Sequence, residues 1–171
     1  MLREKRLSDG AKDYAWRCDP ELARLDATPP SRLSFSEFLM SYAEELRYPS
    51  SKRRRFAIDT LDGEHIGNCM YYDIDEKRGE AEVGIMIGDR DYWDQEYGAD
   101  AISTLVRYIF RETGLDRLYL STLNWNLRAQ KCFAKCGFVP CGHVSRGRDK
   151  FMIMELKRSW LEEGDSPEAK P

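Results

Sequence analysis

The segment Asp89-Arg90-Asp91-Tyr92-Trp93-Asp94-Gln95-Glu96-Tyr97-Gly98-Ala99-Asp100-Ala101 has the spacing that points most directly to chemistry. Before it, Ala81-Glu82-Val83-Gly84-Ile85-Met86-Ile87 reads as a strand. After it, Ile102, Leu105, Val106, Ile109 and Phe110 recur at helical spacing to about Glu112. A strand that turns into a helix start leaves backbone N–H groups without intrahelical acceptors, and the positive end of the helix dipole lies beside them. Such a corner binds anions, and a phosphate-bearing cofactor is a ligand it suits.

Other clusters are weaker. Cys132, Cys136, Cys141 and His143 include metal-ligating types, and Cys132 and Cys136 share a helical face. The tight Cys-x-x-Cys knuckles of structural zinc sites are absent, so thiols packed as small hydrophobes explain them better and no metal is expected. His65 and His143 are read as strand residues rather than catalysts. Lys52-Arg53-Arg54-Arg55 reads as a solvated loop, with the charge to attract an acidic partner. Asp73, Asp75, Glu76 and Glu80 gather around one turn; they either draw in a cationic amine or are plain turn residues.

These residues need elements to hold them. Leu2 to Leu7 reads as a first strand, followed by a helix from Ser8 or Asp9 to about Arg17. Asp19-Pro20-Glu21 starts a second helix, and Ser34 with Glu37 forms a capping-box pattern before Phe35, Phe38, Leu39, Tyr42 and Leu46. Phe56 to Leu61 and His65 to Ile74 read as strands about an Asp62-Gly63 hairpin turn, with Glu80 to Ile87 next. Gly84 inside that strand suggests a bulge or a close backbone approach. Arg117 to Leu123 is a strand, Leu127 to Lys135 a helix ended by Gly137, and Phe138 to Val144 and Lys150 to Leu156 close the order. That order describes a mixed α/β domain over residues 1–163, with 164–171 expected to be a disordered tail.

Bulk properties narrow the class. The chain has 171 residues, 42% apolar and 33% charged, which suits one globular domain. A net charge of -3 argues against general nucleic-acid binding. No apolar run has the length of a membrane span, and the charged N-terminus lacks a signal-peptide core. Five unevenly spaced cysteines fit reduced thiols in a cytoplasm.

Three stretches resemble the GNAT superfamily of acetyl-CoA-dependent N-acetyltransferases, in its branch of ribosomal-protein N-terminal, spermidine and antibiotic acetyltransferases. Glu82–Ile87 with Tyr92–Ala101 is similar to the family's cofactor motif. Asn126-Leu127-Arg128-Ala129 with Phe133-Ala134-Lys135-Cys136-Gly137-Phe138 is similar to its second motif, and Asp149 to Glu155 to its last strand. The resemblance implies a mostly antiparallel sheet of about seven strands, splayed at a bulge in the cofactor strand and flanked by about four helices. Acetyl-CoA is the implied co-substrate. Met86, Ile87 and Gly88 would hold the pantetheine arm with backbone groups. The N–H groups of Gln95, Glu96, Tyr97, Gly98, Ala99 and Asp100 would take the pyrophosphate. Asn126 would meet the arm, with Arg128 and Ala129 beside it, and the basic run at Lys52 could reach the 3′-phosphate.

Two positions depart from the family. Glu96 stands where Gly is favoured, and a carboxylate some 8 Å from a pyrophosphate would cost about 1–2 kcal/mol unless it turned to solvent. Phe133 stands where many members place a Tyr that protonates the leaving thiolate; a water would have to serve. Amide formation also needs a base. Glu82 matches a position that serves so in part of the family, four residues before Met86. The other reading makes it an exposed strand residue balancing Lys77 or Arg78. The implied activity is direct acetyl transfer to a primary amine, either a protein N-terminus or a small molecule. The alternative is a weakly catalytic acyl-CoA-binding module that acts as a sensor. A homodimer is one assembly open to either.

Overall fold

Alternation of apolar and polar residues builds the central sheet. In β4 (Glu80–Ile87), Ala81, Val83, Ile85 and Ile87 turn to the core, and Glu82, Gly84 and Met86 turn to the opposite face. The computed structural model describes residues 1–162, so the tail expected at 164–171 lies outside the described residues. The remaining strands are β1 (Leu2–Glu4), β2 (Arg53–Asp59), β3 (His65–Asp75), β5 (Arg117–Leu123), β6 (Val139–Arg146) and β7 (Asp149–Lys157). They form one seven-stranded sheet, ordered β1-β2-β3-β4-β5-β7-β6. Every neighbouring pair is antiparallel except β4 and β5. That parallel pair is brief, joining Glu80–Glu82 to Arg117–Tyr119. Beyond it the strands part, which is the expected splay.

Four longer helices flank the sheet: α1 (Gly10–Cys18), α3 (Phe35–Arg47), α4 (Tyr97–Glu112) and α5 (Leu127–Lys135). Two short ones, α2 (Pro20–Leu25) and α6 (Arg158–Glu162), add to them. Helix α4 buries Ala101, Ile102, Leu105, Val106, Ile109 and Phe110 against β3 and β4. Each large side chain removed from water there contributes about 1.5–3 kcal/mol. Asp19 caps α2 by accepting from the N–H groups of Glu21 and Leu22. The Ser34–Glu37 capping box forms at α3. Gly137, at φ +90, ends α5 with a bond from Phe138 N to Phe133 O.

Several expectations need correction. The basic run is largely strand: β2 begins at Arg53, and Arg53 and Arg55 pair with Glu45 of α3 at 3.5 and 2.6 Å. The β2–β3 loop is longer than a two-residue turn. Gly63 N donates to Thr60 O and Thr60 N to Glu64 O, with Gly63 at φ +86, so a three-residue loop forms. Gly84 is not a bulge; it pairs in register with Met70. The register shift lies opposite, between Tyr72 and Asp75 of β3, where Asp73 takes φ +51. Asp9 does not cap α1. Its carboxylate is taken by Arg3 and by Arg6 N, at the start of the short turn that precedes α1.

Candidate active site

The parting of β4 and β5 opens a cavity of about 510 Å³, within the range of small-molecule sites. Ile85, Met86 and Ile87 of β4 form its floor, and Glu96 to Ala99 at the start of α4 form one end. Helix α5 walls it with Arg128, Ala129, Lys131, Cys132 and Lys135, and α2 roofs it with Leu22, Leu25 and Asp26. The roof is tied at both ends. Arg90 Nη2 bonds both Asp19 oxygens at 2.8 Å, and the Arg24 guanidinium lies 4.9 Å from the Trp125 ring.

The start of α4 is built to receive an anion. No side chain caps it. Asp100 N already donates to Glu96 O at 2.9 Å, so the expected Asp100 donor belongs to the helix ladder. The open donors of the first turn are Tyr97, Gly98 and Ala99. Glu96 sits at φ +65, a conformation that suits glycine and strains a residue with a Cβ. Glycine at this position is therefore favoured by backbone shape and not only by charge. The Glu96 carboxylate meets Lys135 Nζ at 2.5 Å, which neutralises it at the cavity edge. The Gln95 side chain bonds Asp91 O at 2.5 Å and does not line the cavity.

The register of β4 decides which backbone groups are available. Gly88 N donates to Ile66 O, so the alternating antiparallel pattern commits Met86 N–H and C=O to Asn68. The edge facing the cavity instead presents Ile85 and Ile87. Ile87 O is taken by Trp93 Nε1 at 2.7 Å. Met86 therefore contributes its side chain, and Ile85, which the sequence did not single out, contributes backbone. Gly88 serves packing: a Cβ there would lie 2.1 Å from the Trp16 ring. No register shift occurs in β3–β4 pairing from Gly84 to Ile87, so the splay forms without the expected bulge.

Asn126 caps α5 by accepting from Ala129 N at 3.2 Å, so what it can still offer a ligand is its amide Nδ2. Arg128, Lys131 and Lys135 repeat at i, i+3, i+7 and give the cavity a cationic wall. Arg128 stacks on Trp93 at 3.6 Å, which fixes its direction. Phe133 is buried against Phe138 in the core and does not line the cavity. Lys131, Lys135 and the α2 roof were missed as lining. The period of α5 signals the lysines, whereas the roof depends on tertiary packing alone.

Glu82 is only 8% exposed and stands outside the cavity lining, on the same face of β4 as Met86. Four residues of strand separate them by about 13 Å. It lies in register between Tyr72 of β3 and Tyr119 of β5. Arg78 meets Asp75 and Glu80, and Arg117 meets Glu80 and Glu155. Among the described residues, no cation pairs with Glu82. Burial, then the charge and hydrogen bond of Glu82, pushes the Tyr72 hydroxyl up. Burial followed by Glu82 and Asp73 does the same to Tyr119. The acidic turn thus divides. Asp75 caps the turn and Glu80 pairs with arginines, while Asp73 adds charge beside the tyrosines.

Residues 1–139 match the model of the acetyltransferase (GNAT) domain family. The chain is 26% identical over 167 residues to an uncharacterised N-acetyltransferase, p20, of Bacillus licheniformis, covering 93% of each. It is 26% identical over 100 residues to a spermine/spermidine N(1)-acetyltransferase of Bacillus subtilis, covering 56% of this chain and 66% of that protein. The crystal structure of spermidine N-acetyltransferase from Vibrio cholerae with CoA and spermine superposes with a TM-score of 0.82 at 22% identity, over 93% of this chain and 95% of that one. An aminoglycoside acetyltransferase, AAC(6')-Ib, in complex with coenzyme A gives 0.77 at 18% identity, over 95% and 97%. Family match, fold and a cleft with open amide donors agree: the chain belongs to the GNAT acetyltransferase family and is an acetyl-CoA-dependent N-acetyltransferase.

Proposed function

We propose that residues 1–163 act as one domain that acetylates a primary amine of a small polycationic molecule, by direct attack in a ternary complex. One observation carries the reading. Glu82 is a buried carboxylate with no cationic partner among the described residues, between two tyrosines, on a face where Asp73 adds charge. Asp26 reaches the same neighbourhood from the roof of the cavity. An ammonium group supplies the missing counter-charge. The spermine and spermidine substrates in the relatives' names are amines of this kind.

The cleft suits acetyl-CoA. Tyr97, Gly98 and Ala99 offer N–H donors to the pyrophosphate, with Arg128 and Lys131 supplying positive charge alongside. The Ile85 and Ile87 edge and Asn126 accompany the pantetheine arm. Glu82, directly or through a water, takes the proton of the bound ammonium, and the freed amine attacks the thioester carbonyl. Coenzyme A departs as a fairly stable thiolate, and with Phe133 in the core a water returns its proton. We place the reaction in the cytoplasm, whose reducing conditions suit the five free cysteines. No helix among the described residues is long and apolar enough to cross a membrane.

The test is acetyl-CoA binding by calorimetry, followed by thiol release with polyamines, aminoglycosides and peptides bearing free N-termini. Release fastest with a polyamine supports the proposal. A peptide as the best acceptor would redirect it to protein N-termini, and binding without release on any amine would leave a cofactor-binding module.

A further inference from the structure

Two cysteines meet where the cofactor cleft touches α4, and acetyl transfer uses neither. Cys132 lines the cavity. Its Sγ is packed on Gly98, where a Cβ would stand 3.3 Å away. One turn later, Cys136 rests on the same end of α4 and donates from Sγ to Ala99 O at 3.4 Å. Gly98 and Ala99 are two of the three open donors of the anion corner. Both thiols are half-buried rather than sealed in the core, unlike Cys69.

The two thiols differ in character. A hydrogen bond from Cys132 draws the Cys136 thiol down to about 7, against the opposing effect of burial and with help from Ser103. The same contact, together with burial, pushes Cys132 up and keeps it protonated. A thiolate beside a protonated thiol is the arrangement of a peroxidatic and a resolving cysteine. Cys136 is the C-cap of α5, one residue beyond the last helical position, and its N–H bonds Phe133 O at 3.0 Å, so the terminal turn is what a disulfide would have to open. Side chains at i and i+4 have Cβ atoms about 5–6 Å apart, and a disulfide needs about 3.5–4.5 Å. Closing the gap means drawing Cys136 in toward Cys132 and off Ala99.

We propose that Cys136 and Cys132 form a hydroperoxide-reactive pair whose disulfide disturbs the anion corner and weakens acetyl-CoA binding. The Cys136 thiolate attacks the hydroperoxide, breaking its O–O bond to give a sulfenic acid and releasing alcohol or water. The Cys132 thiol then displaces hydroxide from that sulfur, forming the S–S bond and a second water. The peroxide gains the two electrons that the thiols lose. The link strains the end of α5, so a dithiol reopens it readily. The chemistry of the pair stands on its own geometry. The effect on affinity rests on the pyrophosphate position proposed above.

The full chain treated with hydrogen peroxide and digested with trypsin tests both parts. Cleavage after Lys131, Lys135 and Arg146 yields peptides 132–135 and 136–146. The expected product is these two joined through Cys132 and Cys136, two hydrogens lighter than the reduced pair and separated by dithiothreitol. Calorimetry of the oxidised protein should give acetyl-CoA affinity at least about tenfold weaker, recovered on reduction. Cys136→Ser should keep the reduced protein's affinity and lose its sensitivity to peroxide. Oxidation only at Cys18 or Cys141, or peptide 136–146 joined to 132–135 through Cys141, would overturn the thiol pair. A Cys132–Cys136 disulfide with unchanged affinity would leave the pair but overturn its effect on the cofactor. Undetectable acetyl-CoA binding by the reduced protein would count against the cofactor reading instead.

Discussion

Two charged regions of this molecule are built in opposite ways. Where β1, α1 and β3 meet, the charges are buried and answer one another. Lys5 Nζ meets Asp13 Oδ2 at 2.6 Å, and Arg3 spans Asp59 at 2.6 Å and Asp9 at 2.8 Å. His65 Nε2 and Asn68 Nδ2 complete Asp13 at 3.1 and 2.8 Å. Among the described residues, only Asp59 Oδ1 is left there without a hydrogen bond. Along the cleft the charges are left open: three amide donors without caps and a basic face on α5, with Glu82 beyond the cavity lining and without a cationic partner among the described residues. Trp16 connects the two, its ring 5.0 Å from His65 and packed on Gly88 at the end of β4. The closed network holds α1 and β3 still, and the cleft keeps its unmet charge for ligands.

The sharpest way to break that contrast is in the closed network. Asp13→Ala leaves Lys5 buried without its closest partner and is expected to cost about 3–5 kcal/mol. Calorimetric melting should fall by roughly 10 °C for a chain of this size. Burial raises the Asp13 carboxyl, yet His65, Lys5 and Asn68 hold it well below the usual carboxylate range. A depressed carboxyl gives stability that is complete above the unfolded value near 3.9 and lost as pH falls through the folded value. Acid titration of the wild type should therefore lose stability below about pH 4, and Asp13→Asn should flatten that loss.

In the open cleft the effects should move to function. Glu82→Gln is expected to lower turnover about a hundredfold, about 2.7 kcal/mol in the barrier, with melting unchanged. Equal loss of stability and rate would make Glu82 structural and erase the contrast. Glu96→Gly relieves a left-handed conformation and should add about 0.5–1 kcal/mol, less than the strain itself because glycine gains unfolded-state entropy. Thermal melting checks that, and unchanged acetyl-CoA affinity would confirm that its carboxylate is spent on Lys135. Arg128→Ala should weaken acetyl-CoA by roughly threefold at low ionic strength, fading as added salt screens the charge.

Much of the fold was legible because its signals are local. The apolar period of α4, the Ser34–Glu37 box, Asp19 before Pro20 and Gly137 after α5 each report a neighbour within a turn. The lining of the cavity was legible in outline for the same reason, since Met86, Gly98, Ala99 and Arg128 sit in contiguous stretches. The misses share a different cause. Gly88 was read toward a ligand, but Trp16, distant in sequence, fills the space above it. Met86 was given a backbone role that its pairing with Asn68 takes away. Asp100 was counted as a free donor, although helix register commits it to Glu96.

The amino-acid order by itself determined a strand that turns into a helix start, and with it a candidate anion corner, because helix starts and strand alternation depend on residues near one another in the chain. Only the tertiary structure decided which groups in that corner remain open. It gave Glu82 two tyrosines and no cation among the described residues, gave Glu96 to Lys135, and brought Cys136 to Ala99. Those pairings join residues from different strands and helices, and whether a polar group is satisfied depends on every element that packs against it.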